Sequence, residues 1–473
     1  MEDYQVVIGL EVHVQLKTKS KIFCACSTTF EAPPNTNICP ICCGYPGVLP
    51  VLNEKALKLA LRVALSLNCK INQKIYFERK NYFYPDLPKN YQISQYKLPL
   101  GEEGCLEIPC GKKIRIKRVH LEEDAGKLIH KESYSLVDFN RAGIPLLEIV
   151  SYPDINSPQE AYEYLNCLKL TLQYIEASDC DMEKGSLRCD ANISVRKKDT
   201  DKLGTKVELK NMNTFKGARS ALEYEARRQI NLLKENKEVL QETRLWNEKE
   251  QKSYSMRTKE EAHDYRYFPE PDLLDFYIDQ GPIEGEKTFV GELPLKRKER
   301  FLKEYPLKDK EVDVLLSSKW LAEFFENCCK HFNQPKKISN WLIGPFLEQV
   351  NSLENGFEDV KITPENFSKI VKYFCEGKLN NFGAKRVLSL VMDNNRDVDK
   401  IIKQENLLQV SSQEELDKLV EEVIKENSKP VKEYLEGKRQ ALQFLIGQVM
   451  RKTKGKANPK LAKELLEKKL SNC

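Results

Sequence analysis

Apolar and polar positions alternate strictly near the start of the chain: Leu10, Val12, Val14 and Leu16 are apolar, and Glu11, His13 and Gln15 lie between them. A period of two specifies a half-buried strand. It sets a carboxylate and an imidazole roughly 6.5 to 7 Å apart on the polar face. The pattern returns over residues 187–195, where Arg188, Asp190, Asn192 and Ser194 oppose Leu187, Cys189, Ala191, Ile193 and Val195. It appears again over 205–210, with Lys206, Glu208 and Lys210 on one side. Each polar face, taken alone, is what a solvated antiparallel sheet shows. If the three converge, they form a carboxylate-rich cradle suited to Mg²⁺, a hard cation that prefers oxygen.

Other segments follow from the same reading. Residues 53–67 have a helical period, with Leu57, Ala60, Leu61, Ala64 and Leu65 on one face behind an Asn53 cap. Residues 79–95 are aromatic and proline-punctuated, which predicts a loop, as does the similar stretch 264–272. Over 112–124 the phase slips: Ile114 and Ile116 are apolar at even positions, Val119 and Leu121 at odd ones, so a bulge is expected near Lys117. Beyond it come Glu122, Glu123 and Asp124, ordinarily a solvated acidic turn; simple alternation groups Glu122 with His120. A strand over 137–153 containing Glu148, and helices over 157–175 and 215–238, complete a β-rich region. Beyond residue 292 strand signals fade. Trp320, Leu321, Phe324, Phe325 and Cys328 recur at helical spacing as a core stripe, and the last segment, from about Ser411, is also helical. The fold class expected is α+β: an antiparallel β-rich cradle over 1–293, an all-α domain over 294–407 and a small helical tail over 408–473.

Charge refines this picture only at one end. The 473 residues carry a net +5, but residues 425–473 hold 13 Lys and Arg against 5 Glu, a local +8 on a slightly acidic body. Such a tail suits a polyanionic partner. The acidic start and the lack of any apolar run near the ~18 residues of a membrane span point to a cytoplasmic protein without a membrane partner.

Fifteen cysteines without a secretory signal read as thiols or metal ligands. Cys24 and Cys26, then Cys39 and Cys42, form two close pairs on separate turns, as a tetrahedral structural Zn²⁺ requires. Scattered buried cysteines or an iron–sulfur cluster are the other readings. There is no G-x-x-x-x-G-K-[ST] loop, G-x-G-x-x-G fingerprint or recognisable nucleophile signature, so any ATP would need an unusual cradle.

The blocks IGLEVHVQL, KNYFYPDLP, YQISQ, HLEEDAGK, VDFNRAGIPLLEIVSYPD, GSLRCDANISV, GTKVELKNMN, DYRYFPEPDL and FLIGQVMRKTKGKANP stand in this order. Over essentially its whole length the chain thereby resembles the B subunits of bacterial tRNA-dependent amidotransferases. The resemblance implies a heterotrimer whose other members are an amidase, which is the glutaminase, and a small third protein. It implies ATP, Mg²⁺ and Glu-tRNA(Gln) and/or Asp-tRNA(Asn) as ligands, phosphorylation of the misacylated side-chain carboxylate, and displacement of phosphate by ammonia. Residue by residue it places the metal and phosphorylation site at Glu11, His13, Glu123, Asp190 and Glu208, and the ammonia route at Lys80 and Lys89. The zinc-bearing branch matches Cys24, Cys26, Cys39 and Cys42, and the tail's Lys452, Lys454 and Lys456 are implied tRNA contacts. The related archaeal enzyme carries a large inserted domain for which this chain has no room. A non-catalytic tRNA-binding protein is opposed by the carboxylates, which repel phosphate unless a metal lies between.

Overall fold

The computed structural model describes residues 3–258, 265–392, 394–407, 413–453, 457 and 459–471. They form two compact units that divide between Arg297 and Lys298.

The first unit is built on a nine-stranded sheet among the described residues. Its centre is Tyr4–Gln15, flanked by Pro145–Ser151 and Leu187–Lys197. Outward lie Lys113–Glu123, Gly101–Glu107 and Lys70–Ile71 on one side, and Val207–Lys210, Glu242–Asn247 and Lys252–Thr258 on the other. Pairing is antiparallel except between Val207–Lys210 and Glu242–Asn247, which run parallel, so the sheet is mixed rather than purely antiparallel as expected.

Alternation decides which face is buried. Leu10, Val12, Val14, Leu147, Ile149, Ala191 and Ile193 join one core with Leu165 and Leu168 of the helix Pro158–Tyr174 and Ala218 and Leu222 of Phe215–Lys234. Ser157 and Thr214 cap these helices by accepting from Glu160 N and Gly217 N, caps generally worth about 1 kcal/mol each. Asn53 caps Glu54–Ser66 as the sequence indicates, accepting from Lys55 N and Ala56 N. That helix is covered on more sides than one stripe predicts. Ala56, Leu59 and Val63 are buried while Leu57 and Leu65 lie half-buried, and Arg62 is fixed by Glu286 at 2.7 Å.

The slip near Lys117 is a bulge. Arg118 pairs with Val150 but Ile116 with Ser151, so Lys117 is the extra residue. Two expectations need correction. The stretch over 79–95 is not all loop: Glu78–Asn81 and Tyr91–Ser94 pair antiparallel, and Phe268–Pro269 of the second aromatic stretch adds a third strand. Ordinary alternation at Tyr91, Gln92, Ile93 and Ser94 sustains this pairing despite the prolines between the strands. The strand expected over 137–153 is two, Ser135–Asp138 and Pro145–Ser151, separated by a turn at Gly143 with φ +83°.

In the second unit, Phe301, Phe325, Phe346 and Phe367 centre one helical core. Trp320 stacks on Phe324 at 4.7 Å between centroids, so the aromatic stripe is packing. Helices from Gln413 onward share a smaller core of Leu416, Val420, Leu445, Val449 and Leu466. No helix among the described residues is long and apolar enough to cross a membrane.

Candidate active site

The polar face of the sheet carries two acidic sets. In register across three strands stand His13, Glu148 and His120, with Arg188 on the far side of His13. Glu122, two residues beyond His120 and past the bulge, completes the first set. His13 Nε2 is 3.8 Å from Glu122 and 3.6 Å from Glu148; His120 Nε2 is 3.7 and 3.3 Å from the same carboxylates. The ligand atoms of His13, Glu122 and Glu148 lie within 4.8 Å of one another. Burial alone would raise Glu148, but the facing imidazoles hold it well below the usual carboxylate range, and Glu122 is lowered likewise. Burial opposes charge on His13 and His120, yet the glutamates raise both.

The second set is Glu11, Asp190 and Glu208. Glu11 pairs directly with Asp190 across the strands and accepts from Asn192 Nδ2 at 2.8 Å. Lys210 Nζ bridges Asp190 at 2.5 Å and Glu208 at 3.2 Å, while Thr243 donates to Glu208 at 2.8 Å. The second set, with His13, His120 and Glu148 of the first, opens on one cavity of about 700 Å³. Lys80, Lys97, Arg118, Lys206 and Lys210 also line it, and Tyr96, Tyr265 and Tyr267 form its aromatic wall. Tyr96 and Tyr267 stack at 4.3 Å. An oxygen-rich, anionic donor set with one imidazole fits a hard divalent cation such as Mg²⁺. The surrounding lysines fit a polyphosphate.

Glu123 does not join these sets. It follows Glu122 in a strand, so it points to the other face. There its carboxylate accepts from Lys89 Nζ at 2.6 Å and from Ile93 N at 3.0 Å. The acidic run is not a solvated turn either. Glu122, Glu123 and Asp124 are all at most 5% exposed, and Asp124 accepts from Arg188 and Gln15 at 2.8 and 2.7 Å. Lys89 and Glu123 face a separate pocket of about 290 Å³, shared with Lys21, Cys42 and Gly44. Lys80 opens on the large cavity instead, 5.0 Å from the Tyr265 ring. Between the two lysines, Gln92 donates to Glu123 O at 2.6 Å and accepts from Tyr82 at 3.3 Å.

The four cysteines Cys24, Cys26, Cys39 and Cys42 converge, their sulfurs within 4.8 Å of one another, and can hold a metal. Cys39 N donates to Cys42 Sγ at 3.2 Å, and the buried Lys21 ammonium lies 3.6 Å away. A hydrogen bond from Cys24 brings Cys42 down to about 4 and raises Cys24 in return. Four thiol ligands leave no open position, so the site is structural in type. Gly44 (φ +71°) closes the loop, and a Cβ there would collide with the Lys89 side chain. The cysteine knob therefore packs onto the partner of Glu123.

In the tail, Lys452 is held by Glu422 and Glu426 at 3.0 and 2.7 Å. Lys454 and Lys456 lie outside the described residues.

Comparison with known proteins adds the family. The GatB/GatE catalytic domain matches residues 6–284 and the GatB domain residues 323–470. The B subunit of the aspartyl/glutamyl-tRNA(Asn/Gln) amidotransferase of Carboxydothermus hydrogenoformans is 49% identical over 479 aligned residues, covering 100% of both chains. The chain belongs to this family of amidotransferase B subunits. Its similarity to the corresponding proteins of Thermoanaerobacter pseudethanolicus (49%, 99% of each chain) and Brevibacillus brevis (46%, 100% of each) is equally full-length. Within that frame, the motif blocks point to Glu123, whereas the geometry brings Glu122, Glu148 and His120 to His13. The signal for them is in the sequence: once the phase slips at Lys117, His120 and Glu122 share a face.

Proposed function

We propose that this chain binds misacylated Glu-tRNA(Gln) and/or Asp-tRNA(Asn) and phosphorylates the side-chain carboxylate for amidation. The observation carrying this reading is the large cavity on which Glu11, Glu148, Asp190, Glu208 and five cationic side chains open. His13, Glu122 and Glu148, with Glu11, Asp190 and Glu208 beside them, would hold Mg²⁺. When bound, it supplies the charge neutralisation that lets a carboxylate meet a γ-phosphate. Lys80, Lys97, Arg118 and Lys206 bind and orient the phosphates of ATP, and the cavity, once filled by ATP and the acceptor end, keeps water from the activated carboxyl group.

In the reaction the γ-phosphoryl group passes from ATP to a carboxylate oxygen and ADP leaves. Ammonia then attacks the carbonyl carbon, the carbon–oxygen bond to phosphate breaks, and the amide nitrogen releases a proton. No amidase nucleophile is evident in this chain, so ammonia comes from an amidase partner, the glutaminase, in an assembly completed by a small third protein. The Lys89–Glu123 pair, Gln92, Tyr82 and Lys80 give a polar line from the smaller pocket to the cavity along which it travels. The cysteine knob would carry structural Zn²⁺, and the basic helical tail, with Lys454 and Lys456 more than the ion-paired Lys452, would grip tRNA away from the reacting end.

The test is ATP-dependent amidation of each misacylated tRNA by this chain with its two partners, with glutamine and then ammonium as donor. ADP formation that requires a misacylated tRNA is expected. ADP formation indifferent to the tRNA's amino acid would overturn the reading.

A further inference from the structure

We propose that His120 is a positioning residue that sets the spacing of Glu122 and Glu148 for a divalent cation, an inference that rests on the metal reading above. The atoms that come together as ligands are those of His13, Glu122 and Glu148. His120 stands beside them, 2% exposed.

Its Nε2 addresses Oε2 of Glu148 at 3.3 Å and Oε2 of Glu122 at 3.7 Å. The other oxygen of Glu122, Oε1, is the one turned toward His13. Glu122 is thus held on one oxygen by a hydrogen bond from Ser94 Oγ at 3.2 Å, with His120 Nε2 beside it, and presents the other. Nδ1 of His120 is buried with no hydrogen-bond partner. A buried polar atom left unpaired is uncommon, and here it means that nothing behind the ring orients it. Nε2 is the nitrogen turned toward both carboxylates, and Nδ1 is left on the unpartnered side. Two buried carboxylates repel each other; one N–H lying between them offsets that repulsion and fixes their separation before any ion arrives. The bulge at Lys117 is what turns this ring inward. Partners one step behind a ligand commonly govern metal affinity by about 10- to 100-fold.

Mn²⁺ titrated into the full-length chain, followed by loss of the free-ion electron paramagnetic resonance signal, reads the affinity without ATP or tRNA. His120→Phe should weaken Mn²⁺ binding by about 10- to 100-fold. His120→Gln, whose amide can still donate toward Glu148, should recover part of the loss. Thermal melts without added metal accompany both. A histidine that only packs would change the melts and leave Mn²⁺ affinity at the wild-type value, which overturns the proposal. Should the Phe variant not fold, the Gln variant decides: wild-type affinity overturns the proposal and a partial loss supports it. Failure of the unaltered chain to bind Mn²⁺ would instead overturn the metal reading beneath.

Discussion

Glu122 and Glu123 share a peptide bond and point to opposite faces of the sheet, Glu122 toward two histidines and Glu123 onto Lys89 at 2.6 Å. The two carboxylates therefore separate two steps of the proposed reaction. Glu122→Gln should abolish tRNA-dependent ADP formation. Glu123→Gln should leave ADP formation within a few-fold while cutting glutamine-dependent amidation at least tenfold. It should also lower stability, by up to about 3 kcal/mol, since a largely buried lysine is stripped of its partner. Equal loss of ADP formation in both variants would refute the division.

Glu11→Gln, Asp190→Asn and Glu208→Gln each remove an anionic oxygen from the second acidic set. Each should reduce ATP-dependent phosphorylation at least tenfold, about 1.4 kcal/mol in the barrier, with the fold and the partner's glutaminase intact. Steady-state amidation and far-ultraviolet circular dichroism check this. Near-normal amidation by all three would remove these residues from the site.

Purified protein made without chelators should contain about one equivalent of zinc, lost when Cys24 and Cys42 are replaced by Ser. The melting temperature should fall with it, because structural zinc contributes directly to folding. Since Gly44 packs the knob against Lys89, ammonia use should suffer more than phosphorylation. Metal analysis that finds no zinc in the unaltered protein would contradict this.

Arg115, two residues before the bulge, clamps Asp154 through its backbone N–H at 3.0 Å and its guanidinium at 2.7 and 2.8 Å. These bonds hold the Asp154 carboxyl below its usual range, against partial burial. A carboxyl lowered on folding stabilises the protein above its unfolded pKa, near 4, and that contribution vanishes as pH falls through the folded value. Arg115→Met should thus lower the melting temperature at pH 7, and the gap to wild type should close on acidification below about pH 4. A gap that stays constant down to pH 3 would assign the loss to packing.

Deleting residues 413–471 should raise KM for aminoacyl-tRNA with less effect on kcat, and should flatten the salt dependence of tRNA binding. Each lost phosphate contact removes roughly 0.9 from the log–log slope for duplex nucleic acid. Lys452→Ala alone should move the slope little, because Glu422 and Glu426 already hold that ammonium. Identical slopes with and without the tail would leave it as solvated surface.

The strands that carry Glu11, His13, Asp190 and Glu208 were legible because a half-buried strand writes its orientation into every second residue. The bulge was legible for the same reason, as a break in phase. Glu122 was visible through that break, whereas the motif blocks name Glu123, since block similarity locates a stretch without saying which of two adjacent side chains faces the histidines. Glu148 was seen as a strand residue and not as a site residue; its role depends on register with His13, and pairing between segments more than 130 residues apart is absent from local pattern. The hairpin Glu78–Asn81 with Tyr91–Ser94 was hidden because prolines and aromatics between the strands resemble a loop. The convergence of Cys24, Cys26, Cys39 and Cys42 was readable from spacing alone, whereas the closeness of Gly44 to Lys89 was not.

The extra residue at Lys117 makes length, more than identity, the vulnerable property of its strand. Before it, substitution at even positions disturbs the core; after it, the same parity belongs to the chemistry. A one-codon deletion between 113 and 119 would leave composition almost unchanged while exchanging Glu122 for Glu123 on the face that carries His13 and sending His120 into the hydrophobic layer. Along this segment an insertion or deletion is therefore costlier than most substitutions, and a second indel in the same few residues restores the frame of the fold.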